Sequence, residues 1–280
     1  MKTILRGNSR EVIIDTDGPV IIIGECINPT RRKKLVSTLD AGDFAYVLEL
    51  AEMQINAAAD ILDVNVGYPG VDDVKLLPET VLAIRAKFDI PLCLDSPNPK
   101  AIEAALKVAG GKCLINSVNG EERSMNALLP IAHEYGAAII ALAMDETGIT
   151  YEPEKRLAVA EKILERAVKI GIKEEDVIVD PLAMAVSADP RACVVSLETI
   201  RLVRQKLGLN ITQGASNISF GLPNREILNA VYMALSIMNG LTCPIANPEK
   251  IAMTIRAADL ILGRDDYAMR FVEISQANGL

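Results

Sequence analysis

Residues 90–116 read IPLCLDSPNPKAIEAALKVAGGKCLIN: an apolar run ending in Asp95, a stretch of helical character opened by Pro99, and a second apolar run ending in Asn116. A short run rich in Ile, Leu and Cys, bounded by turn residues, is the pattern of a strand buried on both faces. Proline suits the first turn of a helix, where its missing N–H would have no partner. The same unit recurs along the chain. VIIIGE ends at Glu25, ILDVN at Asn65, VIVD at Asp180 and NITQGASN at Asn217. Strands are expected near 20–24, 60–65, 91–95, 113–116, 137–143, 176–180, 211–215 and 241–246. Between them the apolar residues take helical spacing: Phe44, Val47, Leu48, Ala51 and Ile55 in 43–58, and Leu157, Val159, Ala160, Ile163, Leu164, Ala167 and Val168 in 154–170. Pro153 fits the opening of the second helix and Gly171 its end.

Eight strands alternating with helices predict an α/β fold, a single (β/α)8 TIM barrel, with an open doubly wound sheet as the alternative. No Gly- or Pro-rich linker divides the chain, so residues 1–280 are read as one domain. Residues 1–19 read as an irregular lead-in or a short hairpin closing the barrel bottom. Helices are expected over 248–262 and 265–276.

Half of the 280 residues are hydrophobic, but there are only four Phe and no Trp, so Ile, Leu, Val, Ala and Met must fill the core. The formal net charge is -8 and the one basic cluster is Arg31, Arg32, Lys33 and Lys34. That balance argues against nucleic acid, whose phosphates demand concentrated positive charge. No run reaches about eighteen apolar residues, so no membrane span is expected. The N-terminal stretch lacks the apolar segment of a signal peptide. The cysteines Cys26, Cys93, Cys113, Cys193 and Cys243 form no CxxC pair. They read as free thiols in a reducing cytoplasm, and without metal-ligand spacing no metal site is expected.

In such a barrel the chemistry sits at the C-terminal ends of the strands, where a polar residue can face the mouth instead of packed core. Glu25, Asn28, Asn65, Asp95, Asn116, Asp145, Asp180 and Asn217 fall at or just past those ends. Each one singly also fits helix capping or turn chemistry, as Asp95-Ser96 before Pro97 and Asp180 before Pro181 illustrate. As a set they suit a small flat ligand rich in hydrogen-bonding groups. Carboxylates accept from N–H groups, and an Asn amide offers both a donor and an acceptor. An aminopyrimidinone ring, as in a pterin, presents the matching edge. A sugar phosphate would ask for a basic residue on the last two strands, and ITQGASNIS and TCPIANP contain none.

These same segments carry a family resemblance. GECINPT (24–30), LDVNVG (62–67), LCLDS (92–96), LINSVN (114–119), DPL (180–182) and GASNISFGLPNR (214–225) resemble the pterin-binding methyltransferases. They look most like the methyltetrahydrofolate:corrinoid protein methyltransferases and the folate module of cobalamin-dependent methionine synthase. Dihydropteroate synthase is a more distant relative, and it needs basic groups for a diphosphate leaving group that the late motifs lack. The resemblance runs over almost the whole chain in the family's motif order.

It implies that Asp95, Asn116 and Asp180 bind the pterin ring and that Asn217, the catalytic residue, lies beside N5. Arg225 would line the site, with Asn28 and Asn65 at its rim or floor. The chain departs from relatives at Cys26, often Arg, and at Phe220, sometimes Gln. The implied reaction is methyl transfer between N5 of tetrahydrofolate and the cobalt of a corrinoid. Its implied direction runs from a methylcorrinoid protein to tetrahydrofolate in a demethylation pathway. The alternatives are transfer from 5-methyltetrahydrofolate to a corrinoid iron–sulfur protein, and a pterin-binding subunit without activity. The single histidine, His133, stands outside any DxHxxG motif, so the corrinoid is expected on a separate, transient partner protein. The family also implies a homodimer; Met233, Ile237 and Met238, in the apolar helices after residue 223, read either as interface material or as ordinary barrel packing.

Overall fold

The computed structural model describes residues 1–277 and residue 279. It opens with a hairpin, β1 (Lys2–Arg6) against β2 (Glu11–Asp15), paired antiparallel. Eight parallel strands follow: β3 (Ile23–Ile27), β4 (Ile61–Asn65), β5 (Leu92–Asp95), β6 (Leu114–Asn119), β7 (Ala138–Leu142), β8 (Val177–Asp180), β9 (Asn210–Ile211) and β10 (Ile245–Ala246). Each pairs with its neighbour in sequence, and β10 returns beside β3. The ring closes between β9 and β10, where Ile245 N donates to Gln213 O at 2.9 Å and Gly214 bridges Ile245. The sheet is therefore a closed barrel, the TIM-barrel architecture, and not an open sheet.

The hairpin settles the reading of residues 1–19. Leu5, Val12 and Ile14 pack in one buried cluster with Ile23, Ile61, Cys93, Leu114, Ile140 and Ile178, which point into the barrel. Asn210 Nδ2 donates to Thr3 Oγ1 and Ile14 O, both at 2.9 Å, tying the hairpin to β9. The bottom of the barrel is plugged. Only the top remains open.

The first and last strands differ from the expected spans. β3 starts at Ile23 because carboxylates take amides before it: Asp259 accepts from Val20 N and Asp60 from Ile22 N. β9 and β10 are two residues each. Beside them side-chain hydroxyls join in the pairing: Thr212 Oγ1 donates to Cys243 O and Thr242 Oγ1 to Ile211 O.

Among the described residues ten helices wrap the outside: α1 (Lys33–Asp40), α2 (Ala45–Asn56), α3 (Asp73–Lys87), α4 (Pro99–Ala109), α5 (Glu122–Glu134), α6 (Pro153–Ile170), α7 (Ala192–Lys206), α8 (Arg225–Asn239), α9 (Pro248–Ile261) and α10 (Met269–Ala277). In α6, Pro153 takes the first turn, Val159, Ala160, Ile163 and Ala167 are buried, and Gly171 ends the helix at φ 106°. Only glycine holds that left-handed turn without strain. In α4, Asn98 accepts from Lys100 N beside Pro99. The helix expected over 265–276 begins later, at Met269, because Tyr267 and Ala268 take positive φ. The Asp265 carboxylate then accepts from Arg270 N and Phe271 N.

Of the two readings of α8, Met233 and Ile237 take barrel packing, fully buried in the protein's own core, whereas Met238 is 71% exposed. Among the described residues no helix is long and apolar enough to cross a membrane.

Candidate active site at the barrel mouth

Strand register builds the site. Asn65 pairs with Asp95 and Asp95 with Asn116, so three strand-end residues stand side by side on β4, β5 and β6. Leu142 at the end of β7 pairs with Asp180 at the end of β8. Side chains alternate along a strand, so on β4 Ile61 points into the barrel interior, and Asp63 and Asn65 stack above it. Asp63 is 3% exposed. The resulting cavity, about 400 Å³, is lined by Glu25, Asp63, Asp95, Asn116, Asp180 and Asn217, with Leu142, Leu182, Ala183 and Ile245 as apolar walls.

These side chains hold each other. Asn65 Nδ2 donates to Asp95 Oδ2 at 2.8 Å, while Asn65 Oδ1 accepts from Gly67 N at 2.7 Å. Asn116 Nδ2 donates to Asp63 Oδ1 at 3.1 Å, which turns the Asn116 carbonyl oxygen outward. Asp180 Oδ1 accepts from Leu182 N at 2.8 Å; the geometry depends on Leu182 at φ 66°, a left-handed conformation rare for leucine. Ser216 Oγ donates to Glu25 Oε1 at 2.8 Å across the mouth.

Four carboxyl groups in one enclosed space cannot all ionise cheaply. Burial pushes the Asp180 carboxyl up to about 6, against the Leu182 amide and the Arg156 charge, which pull it down. Burial raises Asp95, and the Asn65 amide opposes it. Asp63 lies well above the carboxylate range, first through burial and then through the charge of Asp95. Glu25 is also raised by burial, opposed by Ser216 and by Arg32 and Arg225. Burial thus disfavours the charged form of all four groups, with Asp180 raised to about 6. Among the described residues no cluster of three or more His, Cys, Asp or Glu is arranged to hold a metal ion.

The predicted site residues do not all share one place. Asp95, Asn116, Asp180, Asn217 and Asn28 line the cavity, and Asn65 buttresses Asp95 from beside it. Arg225 lies in an adjoining cavity of about 300 Å³. From there its guanidinium donates to Ser219 Oγ at 2.9 Å and Ser216 O at 2.8 Å, bracing the turn Ala215–Ser219 that carries Asn217. Asp145 is turn chemistry: it accepts from Thr147 N and Oγ1 and stays out of the cavity. Cys26 is buried among the core residues between strands and helices, with its thiol against Arg32, a residue of the cavity wall. His133 ends α5 against Gly171, at the barrel's closed end.

Sequence reading missed Asp63, Gln54 and Arg156. Asp63 gave a signal, since LDVN sets it two residues from Asn65 and so on the same strand face. Gln54 Oε1 accepts from Cys26 N at 2.7 Å and holds the irregular stretch of β3. Arg156 is fully buried and donates to Pro181 O and Leu182 O at 2.7 and 2.9 Å, fixing the loop after Asp180. An arginine on the buried stripe of α6 was its signal.

The profile of pterin binding enzymes matches residues 24–247, from the glycine before Glu25 to the residue after β10. The chain belongs to the pterin-binding enzyme family. Within that family it is 30% identical over 260 residues to the methylcorrinoid:tetrahydrofolate methyltransferase of Eubacterium limosum, covering 90% of this chain and 94% of that protein. It is also 30% identical over 274 residues to the methionine synthase of Mycobacterium tuberculosis. That match covers 90% of this chain but 23% of the larger protein. Solved structures share the fold of this pterin-binding enzyme at low identity. Dihydropteroate synthase of Yersinia pestis, with a pterine-sulfa conjugate, aligns with a TM-score of 0.72 and 16% identity over 94% of this chain and 100% of that one. The Coxiella burnetii enzyme, in complex with pteroic acid, aligns with 0.68 and 16% over 92% and 98%.

Proposed function

We propose that this pterin-binding enzyme, with residues 1–280 acting as one barrel domain, transfers a methyl group between N5 of tetrahydrofolate and the cobalt of a corrinoid carried by a separate protein. The observation that carries the reading is the acceptor-rich floor of the mouth. A tetrahydropterin ring is rich in donors: N3–H, N8–H, N5–H and the 2-amino group. Asp180 and the free oxygen of Asp95 accept from such groups, and so does the carbonyl oxygen of Asn116, whose own amide is spent on Asp63.

Asn217 sits apart from that network. Among the described residues its side chain makes no hydrogen bond, and it stands on a braced turn beside Gly214, where a Cβ would lie 3.1 Å from Asn217 Nδ2. An amide free to turn suits an atom whose protonation changes. In the proposed direction the N5 lone pair forms the bond to the methyl carbon and the cobalt–carbon bond breaks. Its electron pair stays on cobalt, which passes from Co(III) to Co(I), and the N5 proton leaves to water. Asn217 Oδ1 accepts from N5–H as positive charge builds there, an interaction stronger in the transition state than in the bound substrate.

The direction, methylcorrinoid protein to tetrahydrofolate as in a demethylation pathway, is favoured by the full-length similarity to a methyltransferase so described. The open mouth leaves room for a transient corrinoid partner. The outward face of α8 supports a homodimer, since Ile227, Val231, Leu235 and Met238 form one exposed apolar stripe. Single-turnover transfer from methylcob(III)alamin to tetrahydrofolate tests the assignment. Asn217→Ala should slow transfer by about 10²–10³ while the tetrahydrofolate Kd changes only a few-fold. A variant that loses affinity and rate in equal measure would remove Asn217 from the chemistry.

A further inference from the structure

Side chains alternate along β9 and the residues that follow it. Asn210 reaches down to the plug and Thr212 across to Cys243 O. Ile211 belongs to the core between strands and helices. Gln213 follows on that same face, where an aliphatic side chain would ordinarily fill the space. Gln213 is fully buried, as is Ser196 on α7, and Tyr232 on α8 is 3% exposed. The three form a closed cycle of hydrogen bonds. Gln213 Nε2 donates to Ser196 Oγ, and Tyr232 Oη lies 2.7 Å from both Gln213 Oε1 and Ser196 Oγ. Tyr232 has one proton to give. Given to Gln213 Oε1, it leaves the Ser196 hydroxyl to donate back to Tyr232, so every member both gives and accepts. Burial pushes the Tyr232 hydroxyl up to about 12, and it keeps that proton throughout the neutral range.

Stability alone does not call for this network, since apolar groups of the same shape at all three positions would hold the core about as well. What a fully satisfied buried network adds is one fixed arrangement. That arrangement bears on Asn217. Gln213 is the last residue held to the barrel before the turn, its carbonyl accepting from Ile245 N at 2.9 Å. Gly214 comes next, and its carbonyl accepts from Asn217 N at 3.2 Å. The Asn217 amide folds back over Gly214 so closely that a Cβ there would stand 3.1 Å from Nδ2. A displacement of Gln213 therefore passes through one glycine to the Asn217 amide. The far end of the turn is held separately. Ile218 O accepts from Val186 N and Phe220 O from Ser187 Oγ, while Arg225 spans Ser216 and Ser219. Arg225 and Tyr232 both belong to α8, so one helix holds the turn at both ends.

We propose that Gln213, held by Tyr232 and Ser196, is a positioning residue that sets where the Asn217 amide meets N5. The inference rests on the methyl-transfer reading above and extends it to side chains that touch neither substrate nor cofactor. The test uses Gln213→Leu, Tyr232→Phe and the double variant. Each is measured for tetrahydrofolate binding by calorimetry and for single-turnover transfer from methylcob(III)alamin. Each single variant should slow transfer at saturating tetrahydrofolate by about 10–10²-fold, the effect of a small misplacement of a reacting group. The tetrahydrofolate Kd should change by less than about threefold, since Asp95, Asn116 and Asp180 are untouched. The double variant should be no slower than the slower single one, because the two side chains act as a unit. Tyr232→Phe removes one oxygen atom and keeps the packing, so it tests the proposal even if Gln213→Leu does not fold. Wild-type rates in Tyr232→Phe, rate losses that multiply in the double variant, or rate and affinity falling together would each overturn the positioning role alone. A wild-type protein that fails to bind tetrahydrofolate, or binds it without transferring methyl, overturns the methyl-transfer reading and this inference with it.

Discussion

In the proposed reading Asp180 serves both ring recognition and proton balance. Its carboxyl is raised from an ordinary 3.8 to about 6 in the folded protein. The folded state therefore binds more protons than the unfolded one between about pH 4 and 6, and the free protein loses stability as pH rises through that window. The deficit reaches at most about 3 kcal/mol above pH 6. A ligand that donates N–H groups to the carboxylate reverses the balance and pulls the value back down. Tetrahydrofolate affinity should accordingly rise with pH up to about 6 and level off above it, with proton release on binding in the rising range. Calorimetry in two buffers of different ionisation enthalpy checks this, and an enthalpy that ignores the buffer would contradict it. The strand-end residues were legible in sequence because each closes an apolar run. Asp63 was passed over, although LDVN sets it on the same face as Asn65, because a carboxylate inside a strand's body normally costs too much to bury. It is held here by the Asn116 amide, which donates to it, while burial favours its neutral form.

At the scale of elements, the barrel is rigid where it is plugged and adjustable where it is open. The hairpin's Leu5 and Ile14 are fully buried against the barrel interior. Leu5→Ala leaves a cavity at the far end from the mouth, and should cost about 2–5 kcal/mol in chemical denaturation with methyl transfer unchanged in the folded fraction. Transfer lost in step with a small stability change would mean that the plug shapes the mouth. The helices α4 and α6 were legible from their opening prolines, and α6 also from its apolar spacing and from Gly171. The short β9 and β10 were not, because threonine hydroxyls and the turn at Gly214 take part of the pairing that a long strand would provide. The shift of β3 was equally hidden, since carboxylates more than thirty residues away hold its approach.

The whole molecule is an acidic barrel with one open end and an apolar stripe on α8. Val231 is 56% exposed in that stripe, a surface that water disfavours and a second copy would cover. Val231→Asp should shift a dimer to a monomer in light scattering while leaving the fold intact; a wild-type protein that runs as a monomer would remove the dimer. The family was readable from motifs spread across the chain because each lies at a strand end that the barrel brings to the mouth. The roles of Arg225 and Arg156, which act on loops and not on the cavity, needed the three-dimensional arrangement. The claim beneath all of this is that the mouth grips a reduced pterin. A crystal structure with tetrahydrofolate bound tests it most directly. The account predicts the ring in the central cavity, its N–H groups on Asp95, Asn116 and Asp180, and N5 within hydrogen-bonding reach of Asn217. A ring seated elsewhere, or seated there with N5 turned away from Asn217, would contradict it.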